Sequence, residues 1–257
     1  MKGMFCVLVG LLLAAPVLAE SRFAWPEGHH AAVVLTYDDA IAVSDLDVAV
    51  PQLNRLKLKG TFFLMGKAMS AADVPRWRAV ANAGHELGNH TVNHPCRQGT
   101  FPMPTQYTSE SYNVEVLLTE IGVMNTLLTA IDGKPKHSFA TPCGQTTVGG
   151  EDYIKPLQAA GLATFIRDDT TLTGGGGSKI LSTAFVGSSG ADMIAWIKKI
   201  EEAGALGVIV FHGVGGDYLS VSADAHRQLL DYLAARRDAI WIATFSEAMA
   251  HVSTPGR

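Results

Sequence analysis

Two imidazoles four residues apart, in Gly88-Asn-His-Thr-Val-Asn-His94, form the first arrangement in this sequence able to do chemistry. A single helical turn would aim His90 and His94 the same way. Two histidines with one carboxylate make a common catalytic zinc set that leaves a coordination position open for water. Alone, the pattern is weak evidence and more often describes two surface histidines, here beside Pro95. Asp38 and Asp39 sharpen it, because adjacent residues at a strand end point opposite ways, so one can ligate a cation while the other takes a proton. A divalent ion also relieves the repulsion between the two carboxylates. His212 leaves the apolar run GVIVF for His-Gly-Val-Gly-Gly, where glycines let the backbone come close to a neighbour. A neutral imidazole there suits a general acid; a satisfied core histidine is the blander reading of the same position.

These residues need elements that bring them together. Short β-rich runs recur at 31–37, 61–65, 85–88, 137–140, 163–167, 207–211 and 240–244, with a weaker one at 179–185. Between them lie segments of helical periodicity, such as 109–131 with Val114, Leu117, Ile121 and Leu128 on one stripe, and 190–203. Alternation of this kind predicts an α/β fold: a single-domain, irregular (β/α) barrel with about seven to eight parallel strands. In such a barrel the strand ends of one polarity open on one face. Asp38 and Asp39 follow the first run, His90 and His94 the third, Thr-Pro-Cys-Gly the fourth, and His212 ends the seventh. The Gly174 to Gly177 run reads as a loop, not a domain boundary.

Composition narrows the classes. The chain has 257 residues, 47% of them apolar and 17% charged, enough for one large core. Residues 1–19 carry one Lys, an apolar run and then small residues with Val17 and Ala19 where a signal peptidase cuts, so a signal peptide is expected there and the catalytic domain at 20–257. Cleavage would remove Lys2 alone, leaving 19 basic against 24 acidic residues, a charge of −5. No basic run interleaved with aromatics speaks for nucleic acid, and no later stretch reads as a membrane span. The expected location is outside the cytoplasm, periplasmic or secreted. Of the cysteines beyond the leader, Cys96 and Cys143 sit on loops of the same rim, where an oxidising compartment permits a disulfide. A reactive thiol is the first alternative to the disulfide, and metal ligation by Cys143 a minor third.

Taken in order, TYDDA (36–40), KGTFFLMG (59–66), GHELGNHTVNH (84–94), FATPCG (139–144) and VIVFHG (208–213) resemble the successive motifs of the polysaccharide deacetylases, carbohydrate esterase family 4. The resemblance implies Asp39, His90 and His94 as ligands of one divalent metal, zinc in first place with cobalt or nickel as alternatives. It implies Asp38 as the base on the metal-bound water and His212 as the acid that protonates the leaving group. The backbone N–H of Cys143, where the family usually has Tyr, would help hold the oxyanion. The implied substrate is an acetylated carbohydrate, either an N-acetyl amino sugar such as chitooligosaccharide or peptidoglycan, or an O-acetylated polysaccharide such as acetylxylan.

The sequence also departs from that pattern. Many members carry, at the position of Ala140, an Arg that orients the base aspartate; here Arg167, at the end of the fifth run, could supply the guanidinium from a neighbouring strand or form an ion pair with its own neighbours. Trp196 and Trp241 read as core residues and not as the family's pocket tryptophan. A serine hydrolase is disfavoured because no G-x-S-x-G occurs. A non-catalytic sugar-binding protein on the same fold is the other competing class. Oligomeric state is not legible.

Overall fold

The longest strand, β1 (Ala31–Asp38), is buried at every residue, as a continuous apolar run covered on both faces should be. The computed structural model describes residues 24–168 and 180–253, so the expected signal peptide and the Gly174 to Gly177 loop lie outside the described residues. The remaining strands are β2 (Thr61–Leu64), β3 (Glu86–Asn89), β4 (Phe139–Ala140), β5 (Thr147–Val148), β6 (Glu151–Asp152), β7 (Ile166–Arg167), β8 (Ile180–Ala184), β9 (Leu206–Phe211) and β10 (Ile240–Ala243). The antiparallel pair β5–β6 forms a small hairpin of its own.

All the others build one parallel sheet in the order β7-β4-β3-β2-β1-β9-β8, with β10 added beside β1. β9 pairs along one edge of β1, from Ala32 to Tyr37. The other edge is shared: β10 takes Ala31–Val34 and β2 takes Thr36–Asp38. The expected irregular α/β barrel with seven to eight parallel strands is therefore present as a curled half-barrel, and the runs at 137–140 and 163–167 shrink to two-residue strands.

Helices cover the sheet: α1 (Ala42–Ser44), which runs through a π-helical stretch (Asp45–Ala49) into α2 (Val50–Leu56), then α3 (Val74–Asn82), α4 (Val114–Asp132), α5 (Ile154–Ala159), α6 (Gly190–Ala203), α7 (Ala223–Ala235) and α8 (Phe245–Val252). α6 occupies the expected residues and starts at a capping box of Ser189 and Asp192. α4 starts later than its periodicity predicts, because Asn113 caps it by accepting from Val116 N. By length and composition α4 could cross a membrane, with a mean hydropathy of 1.5. Its stripe of Leu117, Ile121, Met124, Leu128 and Ile131 is nevertheless buried, as in a helix packed on a core. Trp196 packs edge-on against Phe185, and Trp241 against Trp25 and His251, so both tryptophans are packing residues.

Candidate active site

The C-terminal ends of the strands carry the polar residues. Asp38 closes β1, and the next two residues, Asp39 (φ 75°) and Ala40 (φ 59°), adopt the left-handed conformation. Non-glycine residues pay for that conformation only where the surroundings over-determine it. Here Asp39 N is held by Phe63 O at 3.1 Å. The tight sheet beneath depends on Gly88: a Cβ there would stand 2.5 Å from the Phe63 ring.

His90 and His94 do not lie on a helical turn, contrary to the expectation from their spacing. They flank an irregular loop after β3 in which Thr91 (φ 64°) and His94 (φ 56°) are left-handed. Side chains supply what helical hydrogen bonds would have supplied. Asn89 Oδ1 accepts from Thr91 N at 2.8 Å, Thr91 Oγ1 accepts from His94 N at 2.8 Å, and Glu120 Oε1 accepts from Val92 N and Asn93 N. Glu120 is steadied in turn by Tyr112, whose hydroxyl donates at 2.6 Å. The two imidazoles still converge, with ring centroids 4.5 Å apart.

His90 Nε2 and His94 Nε2 are 3.1 Å apart, and Asp39 Oδ1 lies 3.6 Å from each. Donors placed tetrahedrally 2.0–2.1 Å from a zinc ion would be about 3.3 Å apart. The three atoms therefore match the span of a metal's donor set, and Asp39 Oδ1 is buried with no hydrogen-bond partner among the described residues. His90 Nδ1 lies 2.9 Å from Ala140 O, which places the proton on Nδ1 and leaves Nε2 free as a ligand atom. Burial, followed by the neighbouring His90, lowers the His94 pKa to about 4, so its imidazole is neutral at physiological pH.

Cys96 and Cys143 are joined in a disulfide with Cα atoms 5.9 Å apart. Both come near His94 and could make a donor group with it. The disulfide removes the thiolates that such ligation needs, and Cys96 Sγ instead packs 3.4 Å from His94 Nδ1.

Arg167 reaches Asp38. Its Nη2 donates to Asp38 Oδ2 at 2.5 Å and its Nη1 to Thr36 Oγ1 at 2.7 Å, while the guanidinium lies 4.8 Å above the Phe63 ring. β7 pairs with β4 so that Arg167 stands opposite Ala140, one strand over from the position at which the sequence lacks an arginine. Burial pushes the Asp38 carboxyl up, but Arg167, His90 and His212 together outweigh it and hold the pKa below its ordinary value.

Opposite these groups, His212 follows β9. It shares with Asp38, Asp39, His90, His94, Cys143 and Arg167 the lining of a cavity of about 880 Å³. The turn after His212 is tight, since a Cβ on Gly213 would meet Gly216 O at 2.4 Å. The expected metal, catalytic and oxyanion residues thus line one cavity, Cys143 with left-handed backbone (φ 53°), while Cys96 is buried behind it.

Sequence reasoning missed Tyr218, Phe101 and Leu219 in the same wall, and Glu120 behind the histidine loop. Glu120 had a faint signal, an acid among the apolar residues of α4; the loop residues had none. Also missed was Asp45, a carboxyl with no exposure and, among the described residues, no side-chain partner. Burial, then the nearby Asp38 and Asp39 charges, drive its pKa well up.

Residues 26–164 match the polysaccharide deacetylase family model. Among curated proteins, a peptidoglycan-N-acetylglucosamine deacetylase of Bacillus cereus is 42% identical over 69 residues, which is 25% of this chain and 23% of that protein. The match thus spans about a quarter of the curated relative's length. Among solved structures, a peptidoglycan deacetylase of Bacillus subtilis superposes with a TM-score of 0.54 at 16% identity, covering 86% of this chain and 91% of that one. A family 4 acetyl xylan esterase of Clostridium thermocellum, solved with a cobalt ion, gives 0.56 at 17% identity, covering 85% and 90%. At such identities the likeness to these two structures is one of fold.

Proposed function

We propose, from the premise that this chain belongs to the polysaccharide deacetylase family, that it is a metal-dependent hydrolase releasing acetate from an N-acetylated amino sugar in a carbohydrate. One observation carries the reading: a carboxylate held ionised by Arg167 stands beside the Asp39, His90 and His94 donors in one cavity.

Asp39, His90 and His94 would hold one divalent cation, zinc before cobalt or nickel. When bound, the cation supplies Lewis acidity toward a water molecule and the acetyl carbonyl. Asp38 accepts the proton of the attacking water, and its depressed pKa keeps it available as a base near neutrality. Arg167 fixes the orientation of that carboxylate through Oδ2. The Cys143 N–H, on the cavity wall, donates to the oxyanion as the carbonyl becomes tetrahedral. As the C–N bond breaks, His212 gives a proton to the departing nitrogen, leaving acetate and a free amine. Export is part of the proposal, because the Cys96–Cys143 disulfide suits an oxidising compartment.

The test is acetate release from N-acetylated chitooligosaccharides, peptidoglycan fragments and acetylxylan, with the protein chelated and then restored with zinc or cobalt. Metal-restorable release from the amino-sugar substrates, abolished in His90→Ala, is expected. Release from acetylxylan alone would move the reading to an O-deacetylase. No release from any substrate by protein carrying a bound metal would overturn it in favour of a non-catalytic sugar-binding protein.

A further inference from the structure

The two oxygens of Asp39 are differently employed. Oδ1 faces Nε2 of both His90 and His94 at 3.6 Å and has no hydrogen-bond partner among the described residues. Oδ2 accepts a hydrogen bond from the hydroxyl of Tyr218, 179 residues further along the chain. A carboxylate with one oxygen tied back in this way can turn only the other toward the imidazoles.

The loop that presents Tyr218 is built to hold it. Asp217 (φ 71°) and Leu219 (φ 48°), on either side, are both left-handed, a conformation unfavourable for such residues unless the surroundings enforce it. The enforcing bonds are present: Gly215 N donates to Val221 O at 2.8 Å and Val221 N to Gly213 O at 3.0 Å, closing the loop on itself. Ser44, in α1, takes hold of Val214 from outside. Tyr218 is nevertheless 49% exposed, so burial of its ring does not account for the arrangement. The ring also stands 5.9 Å from that of His212.

We propose that Tyr218 is a positioning residue for the metal: its hydroxyl turns Asp39 so that Oδ1 joins the two imidazoles while Oδ2 is withheld. The proposal rests on the reading of Asp39, His90 and His94 as the ligands. Partners that orient a ligating side chain are commonly worth about 10–100-fold in metal affinity. Tyr218→Phe keeps the ring and deletes only the donor.

The experiment is a zinc titration of the metal-free full-length protein against a competing chromophoric chelator, with thermal unfolding recorded with and without zinc. Wild type, Tyr218→Phe, Ser220→Ala and His90→Ala are compared. Zinc Kd should rise about 10–100-fold in Tyr218→Phe, with the metal-free Tm kept and the zinc-dependent rise in Tm reduced. Ser220→Ala, in the same loop but outside the lining of the cavity, should bind zinc as wild type does. An unchanged Kd in Tyr218→Phe overturns the proposal, and so does an equal weakening in Ser220→Ala, which would place the effect in loop integrity. Failure of the wild type to bind zinc, or full binding by His90→Ala, would instead overturn the ligand assignment beneath it.

Discussion

Arg167 Nη2 donates to Asp38 Oδ2 at 2.5 Å across 129 residues of sequence, from the strand position paired with Ala140. Both side chains are about 4% exposed, so the pair is desolvated and the guanidinium governs the carboxylate strongly. Arg167→Ala should lower kcat about 100-fold, the scale of a positioned general base. It should also raise the Asp38 pKa and so move the acid limb of the kcat/KM profile to higher pH. A pH–rate series on Arg167→Ala and on Ala140→Arg/Arg167→Ala checks this, with partial recovery expected in the double variant.

The Glu120 carboxylate receives Val92 N, Asn93 N and Asn93 Nδ2 and so stands in for the missing helical hydrogen bonds of the histidine loop. Glu120→Ala strips several charge-assisted bonds at once and should destabilise the protein by about 3 kcal/mol or more. Urea unfolding gives the stability change. Zinc titration should show weaker binding than in wild type, since His94 loses its support.

The Cys96–Cys143 disulfide closes a stretch of 47 residues that includes all of α4. Chain entropy alone assigns such a loop about 4 kcal/mol. Cys96→Ser/Cys143→Ser should therefore melt well below wild type in calorimetry, and reduced wild type should follow the double variant.

Buried histidines make stability fall in acid. Burial depresses the pKa of His226 to about 3, burial followed by the Lys59 ammonium depresses His85 to about 4, and burial followed by the neighbouring His90 depresses His94 to about 4. All three stay neutral in the fold while the unfolded chain protonates near pH 6.5. Their stabilising contribution is thus complete above 6.5 and is lost as pH falls toward 4, at up to about 1.4 kcal/mol per pH unit for each. Denaturant midpoints of metal-free protein from pH 7 to 4 should show the decline, and His226→Gln should flatten it.

Asp45 works with the opposite sign. Its folded pKa is raised, so the fold is penalised above the ordinary carboxylate range and relieved as pH falls. Asp45→Asn should raise the metal-free Tm at pH 7 and leave it nearly unchanged at pH 4. A loss of stability at pH 7 would mean that the ionised carboxylate is needed.

Much of this was written in local sequence. Runs such as AAVVLTY and GVIVF prefer extended backbone and can be buried on both faces only within a covered sheet; the stripes at 109–131 and 190–203 demand helices. Alternation of the two implies parallel strands and therefore a shared rim, which is why Asp38, Asp39, His90, His94 and His212 were legible as site candidates; Arg167 and the role of Cys143 came from the family resemblance. What local preference does not encode is register between distant strands and the backbone of irregular loops. The opposition of Arg167 to Ala140 depends on how β7 lies against β4. The convergence of His90 and His94 depends on Glu120 and Asn89 holding left-handed turns that no 3.6-residue period describes. Tyr218 reaches Asp39 only because a strained loop after β9 folds back over the first strand's end. Type and spacing could name the chemical groups; the contacts that aim them are non-local, and only tertiary packing decides those.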